Sequence, residues 1–266
     1  VDLKSPAEMI GEFNAVIFSP SHLSLIQEGP VNRRKFLDTA LCQLKPSYAR
    51  VLAKYNRALE QRNALLKDIQ FHSELYDTLD VWDDRLSSYA SAIVSERIKY
   101  TRLLSESCEE IYTGLSDGRE KLEIQYVNNT GLYNDDIYEI KDFIFERLRQ
   151  NRREDIFNKI TSIGPQRDDI DIKINSLSAR KFGSQGQQRS CALAMKLSEA
   201  IIIKDVTGEE PVILLDDVMS ELDVNRQDYI LNHLNSRQVF ITCCDPATVL
   251  RMCEGKTFHI EKGRLI

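Results

Sequence analysis

Apolar positions along the chain follow two spacings, with unbroken runs between them. Ala15-Val16-Ile17-Phe18, Val212-Ile213-Leu214-Leu215 and Val239-Phe240-Ile241 are unbroken runs, and a run without alternation suits a strand buried on both faces, as in a parallel sheet. Leu122, Ile124 and Tyr126, and again Ile170, Ile172 and Ile174, alternate with polar neighbours and predict half-buried strands. Lys256 to Ile260 predicts a last strand, with a turn at Gly263. Helical spacing begins at Pro46, where Tyr48, Val51, Leu52, Tyr55, Leu59, Leu66 and Ile69 share one face at about 100° per residue, with Arg50, Lys54 and Arg57 opposite. Leu75, Leu79, Trp82, Leu86, Tyr89 and Ile93 step by four and three, a coiled-coil-like spacing that predicts a second long helix over residues 73–115. Two such helices with a short link pack antiparallel, with Trp82 in their core. A third helix is predicted over residues 135–160, with Ile137, Ile140, Ile144, Leu148, Ile156 and Ile160 apolar and Arg147, Arg149, Arg152 and Arg153 on the polar side, ending at Gly164-Pro165. Residues 20–43 read as loop and short helix around Arg33-Arg34-Lys35, residues 224–234 as a short helix, and Asp245 as a cap for a helix from Pro246.

The chemistry concentrates between Phe182 and Asp223. A polar turn, Gly183-Ser184-Gln185-Gly186-Gln187-Gln188-Arg189, opens an apolar helix, and after a loop the run Val212–Leu215 ends in Asp216 and Asp217. Side chains at the C-terminal end of a parallel strand sit where open α/β sheets bind ligands. A carboxylate there can hold Mg²⁺, which takes oxygen ligands and keeps company with phosphates. A second one can orient or deprotonate a water for attack on phosphorus. The turn supplies small residues and unsatisfied N–H groups at a helix N-terminus, a site for anions. Taken separately, the acid pair also fits an N-cap and a solvated turn, and the glycine-glutamine turn a simple cap.

Composition narrows the class. The chain has 266 residues, 42% hydrophobic and 29% charged, enough for one large or two modest domains. It has no apolar run approaching a membrane span, no secretory leader and no C-x-x-C among its six cysteines. These features favour reduced thiols in the cytoplasm over a disulfide frame or a zinc site. The net charge of −6 argues mildly against a surface coated for nucleic acid. Residues 31–67 nevertheless carry nine Lys/Arg against two Asp/Glu. One basic face is all that a nucleic-acid binder needs, so Arg33, Arg34, Arg50, Lys54 and Arg57 are candidate phosphate contacts.

Ser184-Gln185-Gly186-Gln187-Gln188-Arg189 resembles the signature motif of SMC-like ABC ATPases, Pro211 to Asp217 resembles their Walker B strand, and Ser220-Glu221-Leu222-Asp223 resembles their D-loop. With Phe18-Ser19-Pro20, Arg33 to Asp38, and Gly164-Pro165-Gln166-Arg167-Asp168-Asp169, the likeness extends over essentially the whole chain and is to the RecF family. The Walker A pattern G-x-x-x-x-G-K-[ST] is absent, so the chain resembles the C-terminal three quarters of such a protein, and by itself it is expected to bind ATP weakly and to be inactive. Gln166 stands where the family pattern has histidine, and Thr242-Cys243-Cys244 where many ABC ATPases place a histidine that contacts the γ-phosphate.

The resemblance implies an α/β fold: an incomplete ABC-type ATPase head with a mostly parallel sheet, plus a helical arm containing a short antiparallel helix pair. It divides the chain into a remnant of the N-terminal head (1–45), the arm (46–160) and the C-terminal part of the head (161–266). It implies ATP and Mg²⁺ as cofactors, with Asp216 on the metal and Asp217 positioning the attacking water. Ser184, Gly186, Gln187, Gln188 and Arg189 would cap the ATP of a second head, and Ser220, Glu221 and Asp223 would lie across the dimer seam. It also implies a cytoplasmic mediator of DNA recombination, replication and repair, within the SOS response, that dimerises with ATP on duplex DNA or a junction and helps load recombinase at gaps or stalled forks with RecO and RecR. Two other readings compete: a catalytically silent helical dimerisation module, and a non-repair ABC- or SMC-type ATPase head. A transporter subunit is disfavoured, because its signature reads Leu-Ser-Gly-Gly-Gln and its base is a glutamate.

Overall fold

A computed structural model describes residues 13–128, 131–132, 134–234, 237–243 and 255–265. In chain order its elements are β1 (Ala15–Phe18), α1 (Ser24–Gln27), α2 (Pro30–Leu44), α3 (Pro46–Asp68), α4 (Leu79–Leu115), β2 (Leu122–Val127), α5 (Ile137–Gln150) and α6 (Arg152–Asn158). There follow β3 (Asp169–Ile174), β4 (Leu177–Ser178), α7 (Ala179–Phe182), α8 (Gln185–Thr207), β5 (Val212–Asp216), α9 (Val224–Leu234), β6 (Val239–Thr242), β7 (Ile260–Glu261) and β8 (Arg264–Leu265). The proposed cap Asp245 and the helix after it lie outside the described residues.

The three unbroken apolar runs form one parallel sheet in the order β1-β5-β6. The register sets Ile17 beside Leu214 and Leu214 beside Phe240. One face carries Val16, Phe18, Ile213 and Leu215 and is fully buried. On the other, Ile17 is 48% and Phe240 53% exposed, so an apolar row stays in contact with solvent. The alternating segments pair antiparallel in a second sheet, β2-β3-β4, in which Leu122, Ile124, Tyr126, Ile170, Ile172 and Ile174 are buried while Val127 and Leu177 at its margins are exposed.

Helix α4 is the spine between these parts. It packs against α3 and α5 along its first half and against β2, α8 and α9 further on. The coiled-coil spacing foresees one buried stripe, but Ser87, Ser91, Ser95 and Thr101 are buried as well as Leu86, Ile93 and Leu104. Several elements crowd one helix here, and small side chains let their backbones approach. One hydrophobic core runs from Val16 to Leu234 and is continuous across the expected divisions after residues 45 and 160.

Several charged side chains are buried along with the apolar ones. Arg62, within the basic run of α3, is fully buried; its Nε donates to Asp83 at 2.7 Å, and its Nη1 to Asp155 at 2.7 Å and to Thr161 at 2.9 Å. Arg152, expected on the polar side of the third helix, donates to Asp83 and Asp80. This helix is two: α5 ends at Gln150 and α6 begins at Arg152, and Ile137 and Ile160 are exposed. Arg97 joins Asp38 of α2 at 2.8 Å and the carbonyl of Pro165 at 2.7 Å. Residues 30–44 also form a longer helix than foreseen, because Phe36, Leu37, Ala40 and Leu41 give it a buried face.

Removing one partner of a buried ion cluster strands the others. Arg62→Ala is expected to lower unfolding free energy in urea by about 3–5 kcal/mol. Arg153→Ala, at an exposed neighbouring position, is expected to stay within about 0.5 kcal/mol of the unchanged chain.

Candidate functional site: the acid pair and the turn of α8

Strand β5 lies between β1 and β6 and delivers Asp216 to the C-terminal end of the parallel sheet, where the side chain is exposed. Asp216 is abreast of Thr242 on β6, and the Thr242 hydroxyl donates to Asp216 Oδ1 at 2.8 Å. No protein partner of Asp216 Oδ2 is present among the described residues. Asp217 follows in the left-handed conformation (φ 52°), unusual for a residue with a side chain. Its N–H points to the Thr242 carbonyl at 3.2 Å and hydroxyl at 3.1 Å. The Ser220 hydroxyl lies 3.1 Å from Asp217 Oδ1 and 3.0 Å from its carbonyl oxygen. One oxygen of each carboxylate is thus held from behind, with Asp216 exposed and Asp217 half-buried. An all-oxygen donor set of this kind fits Mg²⁺.

The downstream loop serves α9 as much as any seam. Asp223 accepts from the Arg226 N–H at 3.1 Å and pairs with its guanidinium, and these contacts hold its carboxyl below the usual range. Glu221 closes a short 3-10 turn, Met219–Glu221; its side chain lies outside the described residues.

At the turn, α8 begins at Gln185, so Gly186 to Arg189 lie within the helix. Ser184 is its N-cap, in a reciprocal capping box with Gln187: the Ser184 N–H donates to Gln187 Oε1 at 2.7 Å, and Ser184 Oγ accepts from the Gln187 N–H at 3.3 Å. The amides of Gln185 and Gly186 open the helix with no intrahelical acceptor. Ser184 and Gln185 are exposed.

Two expected phosphate contacts take other roles. Gln188 is buried; it donates to the carbonyls of Ala179 and Arg180 and accepts from Gln27, holding α7 and α1 against α8. The Gln187 amide is also engaged, because its Nε2 donates to Glu120 at 2.7 Å and the Tyr112 hydroxyl donates to the other Glu120 oxygen at 2.7 Å. Glu120 thereby ties the turn to the end of α4, a link with no spacing signal in the sequence. Arg189 is half-buried and lines a cavity with Phe18, His22, Lys196, Val218 and Leu222. Burial, then the nearby Lys196 charge, depresses the His22 pKa to about 4, and its neutral ring accepts from the Ser19 N–H at 3.0 Å.

The basic candidates divide. Arg33 is withdrawn from solvent: it pairs with Asp169 at 2.6 Å and donates to the carbonyls of Leu25 and Glu28, so it is a structural arginine and not a phosphate contact. Arg34 is half-buried and donates to the Asp168 carbonyl at 2.8 Å. Arg50, Lys54 and Arg57 are exposed on α3, with no ion pair among the described residues. Gln166 is also structural, donating to the carbonyls of Thr161 and Ile163 and accepting from Tyr55.

No family model matches the chain. A DNA replication and repair protein RecF from Acetivibrio thermocellus is 44% identical over 267 residues, covering 99% of this chain and 72% of that protein. The RecF of Agathobacter rectalis is 42% identical over 266 residues, covering 99% and 71%. A solved structure of the recombination mediator protein RecF-ATPrS in the RecFOR pathway superposes with a TM-score of 0.90 at 40% identity, covering 99% of this chain and 70% of that one. The corresponding RecF-ATP structure gives 0.90 at 39% identity. With a parallel sheet ending in the acid pair, and this identity over nearly its full length, the chain belongs to the RecF family of DNA replication and repair proteins.

Proposed function

We propose that the chain carries the signature, Walker B and D-loop side of a cytoplasmic ATP-dependent recombination mediator, which dimerises on DNA and, with RecR and RecO, helps load recombinase at gaps or stalled forks. The observation that carries this reading is the pair Asp216 and Asp217 at the ligand-facing end of β5, backed by Thr242 and Ser220. The relatives solved as RecF-ATP and RecF-ATPrS in the RecFOR pathway support it.

When bound, Mg²⁺ would neutralise charge on the phosphates of ATP. Asp216 would hold it directly or through water, with the carboxylate oxygen that Thr242 leaves free. Asp217 orients the attacking water and accepts its proton. Ser184 and the amides of Gln185 and Gly186 face the phosphates bound by a second head, where the helix N-terminus favours negative charge. The engaged side chains of Gln187 and Gln188 make this recognition one of hydroxyl and backbone, with the capping box keeping the turn open. Two heads that complete each other's phosphate site associate only when nucleotide is present. On α3 the exposed stripe of Arg50, Lys54 and Arg57 contacts DNA phosphates.

Three measurements on a full-length family member carrying this chain test the reading. Asp217→Asn is expected to slow ATP hydrolysis about 100-fold or more while ATP-dependent dimerisation persists; unchanged turnover removes Asp217 from the mechanism. Ser184→Arg is expected to abolish ATP-dependent dimerisation by light scattering while nucleotide still binds the single head; a normal dimer refutes the assignment across the seam. Replacing Arg50, Lys54 and Arg57 together by alanine is expected to weaken duplex DNA binding and flatten the slope of log K against log salt by about 2–3, and an unchanged slope places the DNA elsewhere.

A further inference from the structure

We propose that Thr242 is a positioning residue for the acid pair: its hydroxyl selects which oxygen of Asp216 is presented to a cation and holds the Asp217 backbone in its left-handed turn. The inference rests on the nucleotide reading above. A threonine hydroxyl has one hydrogen to donate. Here it goes to Asp216 Oδ1 at 2.8 Å, which turns the lone pairs toward the Asp217 N–H at 3.1 Å. That amide also meets the Thr242 carbonyl at 3.2 Å, so a single residue grips both aspartates, one by its side chain and one by its backbone. The parallel register of β5 and β6 sets Asp216 and Thr242 abreast, so the grip follows from strand pairing and not from a chance rotamer. Oδ2 stays outward as the ligand atom, and Asp217, fixed at φ 52°, stands one residue beyond the cation ligand.

A ligating carboxylate tied by a hydrogen bond from behind loses rotational freedom before it binds, and removing such a partner from a metal site costs about 10- to 100-fold in affinity or activity. Valine has the shape of threonine without the donor, whereas serine keeps the donor. Thr242 is exposed at the end of β6, an edge strand of the sheet, so both replacements leave the core untouched.

The test uses a full-length family member carrying this chain and a fluorescent ATP analogue, and it reads the Mg²⁺ concentration for half-maximal nucleotide binding, kcat, KM and the melting temperature. Thr242→Val is expected to raise the Mg²⁺ requirement about tenfold and lower kcat about 10- to 100-fold, leaving KM at saturating Mg²⁺ within about threefold and the melting temperature nearly unchanged. Thr242→Ser is expected to stay within about threefold of the parent on every readout. In an Asp216→Asn background, Thr242→Val is expected to add nothing to the Mg²⁺ requirement. Thr242→Cys, with a weaker donor, should fall between and replaces valine if that variant is unstable. A parental Mg²⁺ requirement in Thr242→Val overturns the proposal, as does a serine variant as impaired as valine. If Asp216→Asn shifts the Mg²⁺ requirement and Thr242→Val does not, only the role of Thr242 falls. If the parent shows no Mg²⁺-dependent nucleotide binding, the nucleotide reading falls and this inference with it.

Discussion

Burial of β5 between two parallel neighbours is the constraint on which the site depends. Its amides and carbonyls are paired on both sides, so its C-terminal end is fixed relative to β1 and β6. Asp216 and Asp217 leave the sheet at a point set by backbone register and not by loop packing. Thr242, abreast of Asp216, is brought to the acids by the same pairing. A one-residue slip would exchange the two faces of β5, sending Ile213 and Leu215 to solvent and breaking the match with Thr242. The cost of exposing those two core side chains makes the register, and with it the site, well determined.

A second constraint acts through α4, whose 37 residues reach from α3 to α8 and α9. It is held by buried arginine–aspartate contacts: Arg62 and Arg152 on Asp83, and Arg97 on Asp38. Its far end meets Glu120, which in turn holds Gln187 beside Ser184. The helical part and the turn of α8 are therefore one packed body, joined by directional bonds as well as by apolar contact.

What could be read in advance follows the physics of each signal. Unbroken runs gave β1, β5 and β6, and alternation gave β2 and β3, because burial on two faces or one leaves a direct imprint on composition. The three-part motif between Phe182 and Asp223 locates the acids at the end of β5 and the cap at the start of α8, because a strand end and a helix start each carry a characteristic order of residue types. Buried charge is harder to read: Arg33 and Arg152 look like any solvated arginine until partners more than twenty residues away are known, whereas Arg62 falls on the apolar face of α3 at about 100° per residue and only its acidic partners are hidden. The serines of α4 were hidden for a related reason, since a small polar side chain at a close helix contact has the same letter as one in water. The motif points Gln187 and Gln188 at phosphate, yet their amides are engaged by Glu120, Ser184, Ala179 and Arg180, partners that sequence order does not reveal.

The row formed by Ile17, Leu214 and Phe240 has a bearing on how substitutions in this sheet should be interpreted. Parallel strands are ordinarily covered on both sides, yet among the described residues Ile17 and Phe240 stay about half exposed and Leu214 between them is partly buried. Such half-covered side chains gain less from leaving water than Val16 and Ile213 on the opposite face. Truncations on the two faces of one strand therefore carry unequal weight, and a substitution at Ile17 or Phe240 perturbs the chain less than one at its immediate neighbour.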